Sequence, residues 1–196
     1  MKARFLILGK ASRAFTLLEL LVVMAIVILL ASMAVPAFNS ITVGSNLNRA
    51  GQIIGDQISL ARQEAVTKNR EVQVRFYDIA NNQSWRGIQI WRVEQTGAGT
   101  NNIAVNRMIT LPDGIVINSA TNLSPLLTAD GSLNGASNVP QYRGFRFRAN
   151  GATDSSVTAA NGYVTLQQAN AQGNPPKNYY TVQINPVTGK VLAFRP

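Results

Sequence analysis

The sequence predicts an α+β chain: one long N-terminal helix, half apolar and half amphipathic, packed on a C-terminal β-rich head of two small antiparallel sheets. Three observations carry this. An apolar run, Phe15–Val35, follows a short basic leader. Apolar residues then recur at helical spacing from about Ser40 to Asn69. After Asn69 the period changes to two, in short candidate strands separated by segments rich in Gly, Asn, Ser and Ala. The expected organisation is a leader over 1–14, an apolar helix over 15–36 and a head domain over 37–196.

The leader Met1–Ala14 carries Lys2, Arg4, Lys10 and Arg13 and no acid, and positive charge before an apolar span holds that end in the cytoplasm. As a helix, Phe15–Val35 would rise about 32 Å at about 1.5 Å per residue, enough for a hydrocarbon core of about 30 Å. Pro36 lacks the donor that a continuing helix needs, so a kink or local melting is expected there. Within this run Glu19 stands out, because a carboxylate at the centre of a membrane helix costs about 2.5–3.5 kcal/mol on insertion scales and such residues usually mark a function. A conventional secretory signal peptide, cut after Ala34 to release a soluble binding protein from Val35, is one alternative. A plain membrane anchor is another. Both leave Glu19 unexplained.

The text Lys10-Ala11-Ser12-Arg13-Ala14 followed by Phe15-Thr16-Leu17-Leu18-Glu19-Leu20-Leu21 resembles the prepilin cleavage and methylation motif of type IV pilins and type II secretion pseudopilins. The resemblance implies a pilin-like fold and cleavage between Ala14 and Phe15 by prepilin peptidase, with N-methylation of Phe15. It also implies that Glu19 neutralises the Phe15 amine of a neighbouring subunit and so sets axial register in a filament. A buried carboxylate and an amine in lipid each need such a partner. Pro36 sits where pilins commonly carry a helix-kinking proline. The residue before the cut is usually Gly in this family and is Ala14 here. The implied location is the bacterial inner membrane, single-pass with the head in the periplasm, and then a pilus or pseudopilus. The implied partners are other pilin or pseudopilin subunits, prepilin peptidase and the membrane.

In the lower helix Leu47, Ile54, Ile58, Ala61 and Ala65 form one stripe, with Gln52, Asp56, Ser59 and Gln63 on other faces. Gly44, Gly51 and Gly55 weaken the helix and permit bending or close packing. The helix closes on Ala61-Arg62-Gln63-Glu64-Ala65 and leads into Val72-Gln73-Val74-Arg75-Phe76. This text resembles the H-type minor pseudopilin of type II secretion and the FimT-like minor pilins. Arg62 and Glu64 read as solvated or locally paired charges. Val72, Val74 and Phe76 alternate with Gln73 and Arg75. Further strands are expected over Gly87–Val93, Ile103–Leu111, Gly114–Asn118, Gly144–Ala149, Gly162–Gln168, Tyr179–Asn185 and Lys190–Arg195. The loops between are Ala80–Ser84, Gln95–Asn102, Ser119–Gln141 and Ala169–Lys177. Ser119–Gln141 is long for a structureless connection, and reads as a mobile loop or a contact surface.

With no cysteine and no histidine the chain has no thiol nucleophile, no imidazole base and none of the usual zinc ligands except carboxylates. The acids outside the apolar run (Asp56, Glu64, Glu71, Asp78, Glu94, Asp113, Asp130 and Asp154) are scattered. Asp113-Gly114 and Asp130-Gly131 are turn signals, and Gly97-Ala98-Gly99 is a weak match to a dinucleotide loop. No enzyme, cofactor, metal or small-molecule substrate is expected. Without the four leader cations, 18 Lys+Arg against 9 Asp+Glu become a surplus of five positive charges. In Gly144-Phe145-Arg146-Phe147-Arg148, alternation puts the phenylalanines in the core and Arg146 and Arg148 outside, with Arg143 nearby. Lys190, in Gly189-Lys190-Val191-Leu192, falls where FimT-like DNA-binding minor pilins carry Gly-Arg-x-Arg, and Leu192 departs from the second basic position. Arg143, Arg146, Arg148 and Lys190 are therefore candidate contacts to a DNA backbone, against the plainer reading of a solvated strand face and a last hairpin turn.

Overall fold

The computed structural model describes residues 15–79, 85–97, 99–128 and 140–196, with side chains at 33–41 and 96 outside the description. The chain divides into two compact units, Met1–Ile41 and Thr42–Pro196.

Helix α1 runs Leu17–Lys68. Its first turn is capped by Thr16, whose Oγ1 accepts the Glu19 N–H at 3.2 Å. Every described side chain from Phe15 to Ser32 is exposed. Among the described residues no helix is long and apolar enough to cross a membrane. The described apolar side chains end at Ser32, and Leu17–Ser32 rises about 24 Å, less than a hydrocarbon core of about 30 Å. The expected span Phe15–Val35 extends past them.

In the second unit α1 presents the expected stripe. Leu47, Ile54, Ile58, Ala61 and Ala65, together with Ala50, are fully buried in the core. The helix stops in a Schellman arrangement: Arg70 N–H donates to Ala65 O at 3.2 Å, Asn69 N–H to Val66 O at 3.4 Å, and Asn69 takes φ +51°. Asparagine tolerates this left-handed position better than most residues, so the sequence ends the helix where the chain must turn into a strand.

The strands are β1 Val72–Asp78, β2 Trp85–Thr96, β3 Gly99–Ala104, β4 Ile109–Thr110, β5 Ile115–Ile117, β6 Gln141–Phe147, β7 Tyr163–Gln168, β8 Tyr179–Ile184 and β9 Val191–Phe194. All pairings are antiparallel, in the order β6-β1-β2-β5-β7-β8-β9, with β3 and β4 also on β2. The expected two separate sheets are thus corrected to one connected sheet. The correction rests on the pair Trp85↔Ile117, the one between β2 and β5 among the described residues, which joins a half around β1 and β2 to a half around β7 and β8. One core serves both halves. It combines the helix stripe with Val72, Val74, Phe76, Ile88, Ile90, Phe145 and Phe147 from one half and Ile117, Val164, Leu166, Val182 and Ile184 from the other.

Two more expectations change. Gln95–Asn102 is the end of a hairpin rather than a loop, since Glu94, Gln95 and Thr96 pair with Asn101, Thr100 and Gly99. An edge strand needs backbone pairing but little burial, so its polar text hid it. Ile103–Leu111 is two strands rather than one. Asn106 interrupts the ladder by offering its side-chain oxygen to the Ile90 N–H at 3.1 Å and its amide to Gln57 at 2.5 Å. Within Ser119–Gln141, a 3-10 turn at Pro125–Thr128 buries Leu126 and Leu127 in the core. Asp130-Gly131 and the expected loop Ala80–Ser84 lie outside the described residues.

Candidate functional site

The first candidate site is the start of α1. Thr16-Leu17-Leu18-Glu19 has the form of a capping box, with Thr16 as the N-cap and Glu19 three residues on. Sequence reasoning missed this local role, although the T-x-x-E spacing was its signal. A carboxylate in a first helical turn also faces the positive end of the helix dipole, worth about 0.3–1 kcal/mol at an exposed position. Glu19 is the one charge among the described apolar side chains of the first unit, and Phe15 beside it is 72% exposed. Ala14 lies outside the described residues, so the expected cleavage point has no geometry here. Pro36 falls within α1, with its side chain outside the description.

The basic candidates do not gather into one stripe. On β6 the register Phe76↔Arg143, Val74↔Phe145 and Val72↔Phe147 puts Arg143 on the same face as the core phenylalanines. Its guanidinium lies 5.4 Å from the Trp85 ring centroid. Arg143, expected near the outward pair Arg146 and Arg148, thus lies on the opposite face of the strand. Arg146 points the other way and pairs with Glu71 at 3.5 Å. Arg148 is exposed, just past the strand, beside a recess also lined by Asn69, Arg70, Glu71 and Gln95. Lys190 sits past the last hairpin turn. There Gly189 takes φ +66° and donates to Asn185 O at 2.7 Å, while Asn185 Oδ1 accepts the Val187 and Thr188 N–H groups. Lys190 shares a recess of about 380 Å³ with Ser59, Arg62, Thr188, Gly189 and Val191. Arg62, read from sequence as a solvated or locally paired charge, is exposed, and its side chain runs close to Gly151 and Gly189.

The acids are also placed. Glu64 and Glu94, far apart in sequence, converge on Arg92, which donates to Glu64 from Nη1 and to Glu94 from Nε, both at 3.0 Å. The hydrogen bond to Glu94, then that to Glu64, raises the Arg92 pKa above its ordinary value. Two carboxylates held this way bind a strand to the helix end.

Sequence reasoning also missed the face of β1 turned away from the helix. Alternation set Gln73 and Arg75 opposite the core face, yet they are 4% and 7% exposed, and Tyr77 on the same face is 6% exposed. The Arg75 guanidinium lies between the Trp91 ring, at 4.5 Å, and the Tyr142 ring, at 4.3 Å. Its Nε donates to Gln73 Oε1 at 2.8 Å, and Trp91 Nε1 donates to the Tyr77 hydroxyl at 3.0 Å.

Comparison with known proteins adds the family. Residues 9–35 match the prokaryotic N-terminal methylation motif, and residues 52–188 match the model of type II transport protein GspH. Comparison with curated protein sequences gave no match. Among solved structures, the chain is similar to the minor pseudopilin EpsH from the type 2 secretion system of Vibrio cholerae. That match has 15% identity and a TM-score of 0.44, and covers 77% of this chain and 98% of that one. It is also similar to the type IV minor pilin FimU of Pseudomonas aeruginosa, at 14% identity and a TM-score of 0.48, over 78% of this chain and 93% of that one. By the match across most of its head, the chain belongs to the type II transport protein GspH family.

Proposed function

We propose that this chain is a minor pseudopilin or pilin-like subunit that is cut between Ala14 and Phe15, N-methylated on Phe15 and assembled through α1 into a filament based in the inner membrane. The GspH-family head and the methylation motif support the subunit role. The observation that carries the assembly step is the exposed apolar helix surface from Phe15 to Ser32 with Glu19 as its one described charge. Such a surface requires burial in lipid or against neighbouring helices. Once buried, a carboxylate needs a cation, and the new Phe15 amine of a neighbour supplies one. Pro36 relaxes the helix between the assembling end and the head. The chemistry is association rather than turnover.

The experiment is intact and N-terminal mass spectrometry of the protein from its host's membranes, combined with filament assembly by Glu19→Gln and Glu19→Ala chains. The expected mature chain starts at N-methylated Phe15. Glutamine keeps a capping-box acceptor but not the charge. Loss of assembly in both variants is therefore the expected result, and normal assembly of Glu19→Gln would reduce Glu19 to a helix cap. A soluble chain starting at Val35 would overturn the filament reading.

A further inference from the structure

From the geometry of β1 we infer that Arg75 forms a carboxylate-receiving site on the sheet face away from the helix, and that its occupant is an aspartate or glutamate side chain on the acidic face of a partner protein. This goes beyond the processing and assembly reading and does not rest on it, because it uses only the head. Arg75 is 7% exposed, and among the described residues no carboxylate pairs with it. A guanidinium buried this far ordinarily carries an acid, since removing a charge from water is costly unless it is paired. Here two aromatic faces and one glutamine replace the acid. The rings hold the plane of the guanidinium, and Gln73 takes Nε. Among the described residues the two terminal nitrogens have no hydrogen-bond partner, and these are the two that form a bidentate fork with a carboxylate.

The surroundings fix the fork. Tyr77 packs at a tilt against Tyr142, with centroids 5.6 Å apart, and anchors Trp91 through its hydroxyl, so neither wall of the site moves independently. Beside Arg75 the paired residue on β6 is Gly144, where a Cβ would lie 2.0 Å from Val74 O, so the strands stay close and no side chain covers the guanidinium from that position. Trp, Tyr and Arg are the residues enriched where partner proteins gain most of their binding energy. The choice of occupant follows from charge: the chain carries 18 Lys+Arg against 9 Asp+Glu, so its complement is an acidic protein surface. A phosphate would satisfy the charge. The single planar fork fits the planar carboxylate instead.

The chain has two tryptophans, so indole labelling with 15N gives two signals, and Trp91→Phe assigns them. The probe is the end-blocked peptide Gly-Glu-Glu-Gly, titrated into the full chain in detergent micelles against its Gly-Gln-Gln-Gly counterpart and against inorganic phosphate. The Trp91 signal is expected to shift saturably with the glutamate peptide alone. Arg75→Lys keeps the charge but loses the planar fork and should weaken binding about tenfold or more. Tyr142→Leu, which removes one wall and leaves Arg75 in place, should also weaken it. No Trp91 shift, an equal response to the glutamine peptide, or an equal response to phosphate would each overturn the proposal. So would a glutamate response that appears only in Asp130→Asn, because the chain's own acid would then be the ligand. The comparison of the two peptides on the unaltered chain decides the matter even if Arg75→Lys fails to fold.

Discussion

At the scale of single residues, close approach decides more than polarity. A Cβ on Gly51 would lie 2.3 Å from the Tyr180 ring, which packs against α1 at that point. Glycine costs a helix about 1 kcal/mol relative to alanine, but forcing a methyl into a filled contact costs about 1–3 kcal/mol. The second effect wins, because the obstacle is a ring held in a strand rather than the end of a flexible chain. Gly51→Ala is expected to lower urea-measured stability by about 1–2 kcal/mol, and to lose that penalty in a Tyr180→Ala background. A Gly51→Ala chain as stable as the parent would show that the ring yields. The sequence left bending and close packing open at this glycine, since the ring that decides it comes from a distant strand. The candidate site divides in the same way. Glu19 was legible because a charge in an apolar run needs no partner to be noticed. Arg75 was not, because alternation with Val74 and Phe76 assigned it to solvent. Only the register Gln73↔Trp91 and Tyr77↔Tyr142 puts rings over it.

At the scale of elements, the helix end and the long strand are tied by charge. Arg92 on β2 bridges Glu64 on α1 and Glu94 on its own strand, and the Schellman turn at Asn69 fixes the angle between helix and sheet. The three side chains are partly exposed, so the network contributes modestly: Arg92→Met is expected to cost about 1 kcal/mol, at the upper end of exposed ion pairs. The pH dependence follows from the raised Arg92 pKa. A cation whose folded pKa is raised contributes stability that is complete below its unfolded pKa and is lost as pH rises through the folded value. For arginine that loss lies in strongly alkaline solution. The difference in urea midpoint between parent and Arg92→Met should therefore stay constant from about pH 7 to about pH 10. A difference that closes within that window would assign the tie to another group. Elements were the most legible level: the buried helical stripe and the alternating strands follow from side-chain period alone. The β2–β3 hairpin did not, because an edge strand of exposed Thr and Asn carries no hydrophobic signal, and its pairing is made by backbone that every sequence shares.

At the scale of the whole head, a thin joint in the sheet meets a continuous core, and the balance between them sets how the head unfolds. Among the described residues the ladder between the two halves is the single pair Trp85↔Ile117. By hydrogen bonds alone, the half with β7, β8 and β9 would be free to open first. The core argues otherwise. Ile54 and Ile58 of α1, Phe76 and Ile88 of one half, and Val164 and Val182 of the other belong to one buried cluster, with Leu126 and Leu127 of the 3-10 turn included. Fully burying a side chain of this kind is worth about 1.5–3 kcal/mol, whereas one backbone hydrogen bond contributes about 1 kcal/mol net. Opening either half would expose several of these side chains at once, a far greater cost than breaking one bridge. The head is therefore expected to unfold in one cooperative step. The check is coincident urea transitions of the full chain in micelles, read by fluorescence of Trp85 and Trp91 in one half and by amide signals of Val164 and Val182 in the other. An earlier transition at Val164 and Val182 would show that the ladder governs, and that the two halves behave as the separate sheets their spacing in sequence implied.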